Sequence, residues 1–282
     1  MSAFNYQRGG SWRNNKFPDW LNDQWQVVML NMYMEDLAEN NIECIYDVVS
    51  NLRPLIENSY AQVSKDGWTI ILEILERVVS MISSNNLSSA YSKESAKEAF
   101  KCLEYIYNTS LYKIPLTDIG NLITIIDYFA ALKDDLNTSL IAVNLLHSVA
   151  DYMAQQVKEK NELWTLLFSK FKRIGADERR ELRSAGFKTL EQIMVNHGKI
   201  LPSTTWYYAL IDIPIQFLEF LKVNYLSRIR NKEELHSGGE NIEDVDLEAE
   251  EENAWEESIT MFYSSFIRIL TTFHSYEEGT LM

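Results

Sequence analysis

Ile70, Ile71, Ile74, Leu75, Val78, Val79 and Ile82 advance by one and then by three. That spacing holds them on one side of a 3.6-residue helix and would scatter them over both faces of a strand. Similar stripes recur from about residue 20 onward, and strand-type alternation is nowhere sustained. The chain has 10 glycines and 5 prolines in 282 residues, too few for the turns of a sandwich, a barrel or a doubly wound sheet. Hydrophobic residues make up 46%, enough to exclude disorder of the whole. The fold class that follows is all-α.

The periodicity places helices near 20–38, 41–50, 54–64, 67–84, 93–109, 117–132, 137–158, 161–174, 178–197, 203–230 and 253–275. Pro54 suits a first helical turn, and Ser92 and Asn137 suit N-caps. Helices of this length with short joints pair antiparallel, and stacked pairs make a HEAT/armadillo-like α-solenoid. The segment Asp177-Glu178-Arg179-Arg180-Glu181-Leu182-Arg183-Ser184-Ala185, followed by Leu190, has the character of a HEAT-type repeat helix. There Asp177 would favour the helix start, Arg183 would reach an acid of a neighbouring repeat, and Ala185 would allow close helix approach. An ordinary amphipathic helix with a solvated charge cluster fits the same spacing, and no clean repeat period runs through the chain.

Charge is unevenly placed. The 41 acids and 26 bases leave −15, and ten acids with no base lie between Glu240 and Glu257. A basic partner segment, or simple solubility, fits this run better than calcium, because it lacks the alternating ligands and mid-loop glycine of a calcium loop. Self-repulsion predicts a mobile loop there. The domain organisation expected is a flexible segment 1–18, a solenoid 19–230, an acidic flexible insertion 231–252, a last solenoid helix 253–276 and a tail 277–282.

The net charge argues against nucleic acid and against broad attachment to anionic lipid. Cys44 and Cys102 lie in helical stretches and form no metal spacing, so both read as buried thiols in a reducing compartment. The chain shows no secretory leader and no apolar run that could span a membrane. The histidines His147, His197, His236 and His274 are scattered. His147, among Leu145, Leu146 and Val149, reads as a satisfied or half-exposed helix histidine. No phosphate loop, zinc-protease motif or nucleophile elbow is present. No catalytic, cofactor-binding or metal residue is therefore nominated, and the partner-binding residues are left unassigned. Trp68, Trp164, Trp206 and Trp255 lie at or near helix beginnings, where they would lock helix pairs. Alternatively, the cluster Trp12, Trp20 and Trp25 would complete its core with a partner or a neighbouring repeat.

Four stretches in order carry a resemblance. They are Leu136-Asn137-Thr138-Ser139-Leu140-Ile141-Ala142-Val143-Asn144-Leu145-Leu146 running on to Ala150-Asp151-Tyr152; Leu163-Trp164-Thr165-Leu166-Leu167-Phe168 with Asp177, Arg179, Leu182, Arg183, Ser184 and Ala185; His197-Gly198-Lys199-Ile200-Leu201 with Thr205-Trp206; and Ser237-Gly238-Gly239-Glu240-Asn241-Ile242 ahead of Trp255. With Gly67-Trp68, they resemble the monensin-sensitivity (Mon-two) family over roughly 65–275, most closely over 136–206. Members of that family are several times longer, so the chain reads as a piece of such a protein, and the acidic run after Ile242 matches no motif of it.

The resemblance implies a HEAT/armadillo-like scaffold of Golgi and endosomes with no catalytic domain and no cofactor. Such scaffolds are related to the large Arf exchange factors. It implies a non-enzymatic role in endosome-to-Golgi vesicle transport. The implied partners are a Dopey-family protein, an aminophospholipid flippase and an Arf-like GTPase, with peripheral membrane association through partners only, from the cytoplasmic side. Competing readings are a fragment of a large Arf exchange factor, a nuclear-transport HEAT protein, and an all-α enzyme.

Overall fold

A computed structural model of the chain describes residues 23–38, 42–84, 90–156, 161–235 and 242–280. The expected flexible segment 1–18 and His236 lie outside these residues. All regular structure among the described residues is helical. The chain divides into two units, Met1–Asp118 and Ile119–Met282.

The first unit contains α1 (Asp23–Ala38), α2 (Ile42–Ser59), α3 (Lys65–Ser84) and α4 (Ala90–Ser110). The strongest packing joins α1 to α3 and α2 to α4, as expected when helical hairpins stack with like helices side by side. The apolar stripe read from the sequence is the core: Ile71, Ile74, Leu75 and Val78 are fully buried. Polar side chains tie one hairpin to the next. Gln26 accepts from Ser64 N at 3.0 Å and donates to Gln62 O at 3.0 Å. The Tyr105 hydroxyl donates to Glu57 O at 3.0 Å, and Arg53 faces Glu98 at 3.2 Å.

The second unit contains α5 (Ile119–Ala130), α6 (Leu136–Gln156), α7 (Asn161–Gly175), α8 (Arg180–His197), the short α9 (Ser203–Tyr207), a π turn (Tyr208–Asp212), α10 (Ile213–Leu235) and α11 (Ile242–Thr280). One row of packing runs α5, α7, α10, and the other runs α6, α8, α11. These are three stacked hairpins, a solenoid-like arrangement. The repeat that periodicity did not reveal shows in the bonds between like helices. Arg173 meets Asp127 and His197 meets Asp151, each across 46 residues. That lies within the span of a HEAT or armadillo repeat. From α8 to α11 the step widens to 75 and 77 residues, because 198–241 intervene.

Several boundaries differ from the expected ones, each for a physical reason. The break expected between 50 and 54 is absent, and α2 runs through Pro54. A mid-helix proline costs about 3 kcal/mol. Burial of Leu52, Leu55 and Ile56 around it outweighs that at about 1.5–3 kcal/mol per side chain. Pro214 leaves its mark differently: it cannot donate to the carbonyl of Leu210, and the helix relaxes into the π turn just ahead of it. Ser92 lies inside α4 and is buried instead of capping it. Asn137 does not cap α6 either. Asp135 does, accepting from Thr138 N at 3.0 Å and from the Thr138 hydroxyl at 2.7 Å. Finally, α11 begins at Ile242 and continues to Thr280. The acidic run from Glu243 to Glu252 is therefore on helical backbone, where a loop was expected, and residues 277–280 continue the same helix. Glu, Ala and Leu are strong helix formers, and acids in a first turn complement the helix dipole. Those terms exceed the mutual repulsion of the carboxylates.

Close approach in the HEAT-like segment falls one residue beyond Ala185. A methyl group at Gly186 would meet Ile174 Cγ2 at 2.5 Å, and one at Gly175 would meet the Phe187 ring at 3.0 Å. Two glycines thus let α7 and α8 touch at Ile174 and Phe187. Gly186→Ala gains about 1 kcal/mol of helix propensity but overpacks this contact by about 1–3 kcal/mol. The expected outcome is a thermal midpoint lower by about 2–4 °C. Adding Ile174→Ala should cost less than the sum of the two single changes, as a coupled pair does.

Candidate partner-binding surface

The turn between α7 and α8 gathers the charged residues singled out in the sequence. Asp177 Oδ1 accepts from Arg179 N at 2.9 Å and from Arg179 Nε at 2.8 Å, and Oδ2 accepts from the same guanidinium at 3.1 Å. The pair holds Arg179 extended toward the preceding hairpin. There its guanidinium donates to Leu132 O, to Ala130 O at 3.0 Å and to Ser139 Oγ at 3.0 Å. Ala130 O and Leu132 O are orphan acceptors at and just beyond the end of α5, where a cation is favoured. Asp177 therefore shapes the turn ahead of α8, and Arg179 is the side chain that reaches the neighbouring hairpin on that side.

Arg183 reaches the hairpin on the other side, but not through an acid. Its side chain is 1% exposed. It donates to Asp177 O at 2.8 Å, to Glu178 O at 2.9 Å and to Ser258 Oγ at 2.9 Å. The guanidinium carbon lies 4.1 Å over the Trp255 ring and 6.0 Å from that of Phe220. Burial pulls the guanidinium down to about 10 from its usual 12.5, so it still carries its charge at neutral pH. Burial pushes the Asp177 carboxyl up, but the hydrogen bonds from Arg179 and the charges of Arg179 and Arg173 outweigh it and hold the group below its usual 3.8.

Other quoted residues also hold helices together. Phe187, Phe217 and Phe262 form an aromatic core joining α8, α10 and α11, with ring centroids 4.7–5.2 Å apart. Trp206 donates to Gly198 O at 3.2 Å and packs on Phe273. Trp68 and Trp164 are buried. His147 and His197 share one carboxylate, Asp151, at 3.4 and 2.6 Å. Cys102 is buried, which raises its thiol to about 12 and leaves it unreactive. Cys44 is half-buried. Residues 237–241 of the fourth quoted stretch lie outside the described residues.

The surface that remains unspent is apolar. Tyr207, Ile211, Ile215 and Leu218 are 41–58% exposed along α9, the π turn and α10. Tyr263, Ile267 and Leu270 are 42–60% exposed on α11. Their spacing of four and then three residues gives one stripe on a helix. Exposed apolar groups aligned in this way mark a contact surface more often than isolated ones do. The sequence pattern did not single out these positions as a surface. No helix among the described residues is long and apolar enough to cross a membrane.

Two outcomes follow for the polar turn. Arg183→Ala leaves Ser258 and two carbonyls without their donor and should destabilise the fold by about 3 kcal/mol, read by denaturant unfolding. Trp255 emission should shift to the red as its cation partner is lost. For Asp177 the sign is fixed by its lowered value. Its contribution is complete above the unfolded carboxyl range and disappears as pH falls through the folded value. Asp177→Asn should therefore be less stable than the parent at pH 7, and the gap should close below about pH 4.

Comparison with known proteins places these features in a family. The model described as the C-terminal region of Mon2 protein matches residues 108–276. The chain is 22% identical over 290 residues to "Protein MON2 homolog" of Xenopus laevis, covering 89% of this chain and 16% of that protein. It is 21% identical to the Homo sapiens protein of the same name, with the same coverage. To "Monensin-resistant homolog 2" of Caenorhabditis elegans it is 22% identical over 223 residues, 77% of this chain and 13% of that one. The chain thus spans about a sixth of the length of the curated relatives it matches. No solved structure matches it. The family match runs from the end of α4 almost to the end of α11 and takes in the whole Asp177–Arg179–Arg183 turn, and the chain belongs to the Mon2 family.

Proposed function

We propose that this chain is part of a non-enzymatic scaffold in vesicle-mediated transport between endosomes and the Golgi apparatus. The observation that carries the reading is the family match over 108–276. The use of the polar residues supports it. Asp127, Asp151, Arg179 and Arg183 each bond across neighbouring helices, and Asp177 shapes the turn that aims Arg179. They build a stack and leave its outer faces to make contacts. The proposed partners are a Dopey-family protein, an aminophospholipid flippase and an Arf-like GTPase. The proposed location is the cytoplasmic side of Golgi and endosome membranes, reached through those partners.

Proximity labelling from the tagged chain in its native cell tests this. Enrichment of a Dopey-type protein and of Golgi or endosomal membrane proteins is the expected result. Enrichment of importin-type cargo instead would replace the traffic role with nuclear transport.

A further inference from the structure

The last helix carries two features that neither the family match nor the traffic role uses. One is the exposed stripe Tyr263, Ile267 and Leu270. The other is the acidic run, now on the same continuous helix. Two other sides of α11 are occupied. Ser258 takes Arg183, Glu257 takes Arg180 at 2.8 Å, and Arg268 takes Glu191 at 2.9 Å, all on the α8 side. Phe262, Phe266 and Trp255 pack on Phe217 and Phe220. By helical register Tyr263, Ile267 and Leu270 point away from the α8 side. Glu256, seven residues ahead of Tyr263, continues that line and is exposed.

We propose that this face of α11 docks an amphipathic helix of a partner protein, apolar at i, i+4 and i+7 and rich in Lys or Arg at one end. The apolar stripe supplies the contact seen when a helix is laid on a complementary helical face. The acidic half of α11 sets the partner's sign and orientation, since nine acids and no base lie between Ile242 and Glu257. A second copy of this chain is the poorer occupant, because the same acids would be brought to a molecule that is itself at −15. The proposal rests on the scaffold reading in so far as it makes the ligand a protein.

The test uses the full chain and two synthetic helical peptides of about 18 residues with one shared Leu stripe. One carries Lys and Arg at one end; the other carries Glu and Asp there. Fluorescence anisotropy should show the basic peptide bound at least about tenfold more tightly, with affinity falling as salt rises. Ile267→Asp with Leu270→Asp should weaken that binding at least about tenfold. Both positions are exposed, so circular dichroism and the thermal midpoint should stay close to the parent's. Ile215→Asp with Leu218→Asp, on the exposed face of α10, should bind as the parent does. Equal affinity for the two peptides, absence of binding to either, or unchanged binding by the α11 variant would each overturn the proposal. So would a concentration-dependent dimer, seen by sedimentation, that the α11 variant abolishes. Failure here with Dopey-type enrichment intact removes this surface and leaves the scaffold. Peptide binding without any traffic partner does the reverse.

Discussion

A guanidinium with almost no exposure to water sits at the start of α8, and the second unit is organised around the means by which its charge is tolerated. Burying an unpaired cation costs several kcal/mol. Arg183 meets that cost with carbonyls of the preceding turn, the Ser258 hydroxyl of α11 and the face of Trp255. Those acceptors are available only if the turn at 177–178 is held in one shape. Asp177 holds it by binding the backbone and side chain of Arg179 at once. The same ion pair extends Arg179 to the end of α5. The short segment from Asp177 to Arg183 therefore grips the hairpin before it through Arg179 and the hairpin after it through Arg183. The order of stacking follows from that, with the glycine contact between α7 and α8 setting the distance.

The fold class was legible because burial demands a periodic stripe, and the stripe at Ile70–Ile82 admits only a helix. The Asp177–Arg183 segment was legible as a helix start led by an acid, since Asp177 favours that position, but a repeat helix and an ordinary amphipathic helix fitted its spacing alike. Its partners were not legible. An acid was the natural expectation for Arg183, yet the acceptors are main-chain carbonyls, which every residue has, and a serine 75 residues away. The repeat period was hidden for a related cause. It lives in contacts such as Asp127 with Arg173, each made by different residue types, so no self-similar pattern marks it. Gly186 was passed over for Ala185 because either residue satisfies a demand for something small, and only the position of Ile174 separates them. Pro54 and the acidic run show local preference overruled, in one case by burial and in the other by helix propensity.

The exposed stripes were not legible in the sequence, for a reason that bears on function. Periodicity identifies an apolar face and is silent about whether the chain itself covers it. In α3 the face is covered and becomes core. In α10 and α11 an apolar face on the inner side meets Phe187 and its neighbours, while a second apolar line on the outer side meets solvent. In α11 the inner faces already meet α8 and α10, so the outer apolar line is left for a neighbour that the described residues do not supply.

The charge of the chain takes on meaning from the same geometry. Outside Glu240–Glu257 the remaining −5 is dispersed, and acids such as Asp127, Asp151 and Glu191 are spent on cations or histidines of adjacent helices. The concentrated acids lie on the N-terminal half of α11 and reach Glu256 and Glu257, beside the anchor at Trp255 and Ser258. From that anchor toward its C-terminus α11 is held on α8 and on the aromatic core. Toward its N-terminus the Glu, Ala and Leu of its sequence favour helix. A helix with one half fixed by packing and the other half dense in like charge places an electrostatic field next to an exposed apolar stripe. That combination discriminates partners by sign before contact and by shape after it, which is what a scaffold surface has to do if it is to select one helix among many.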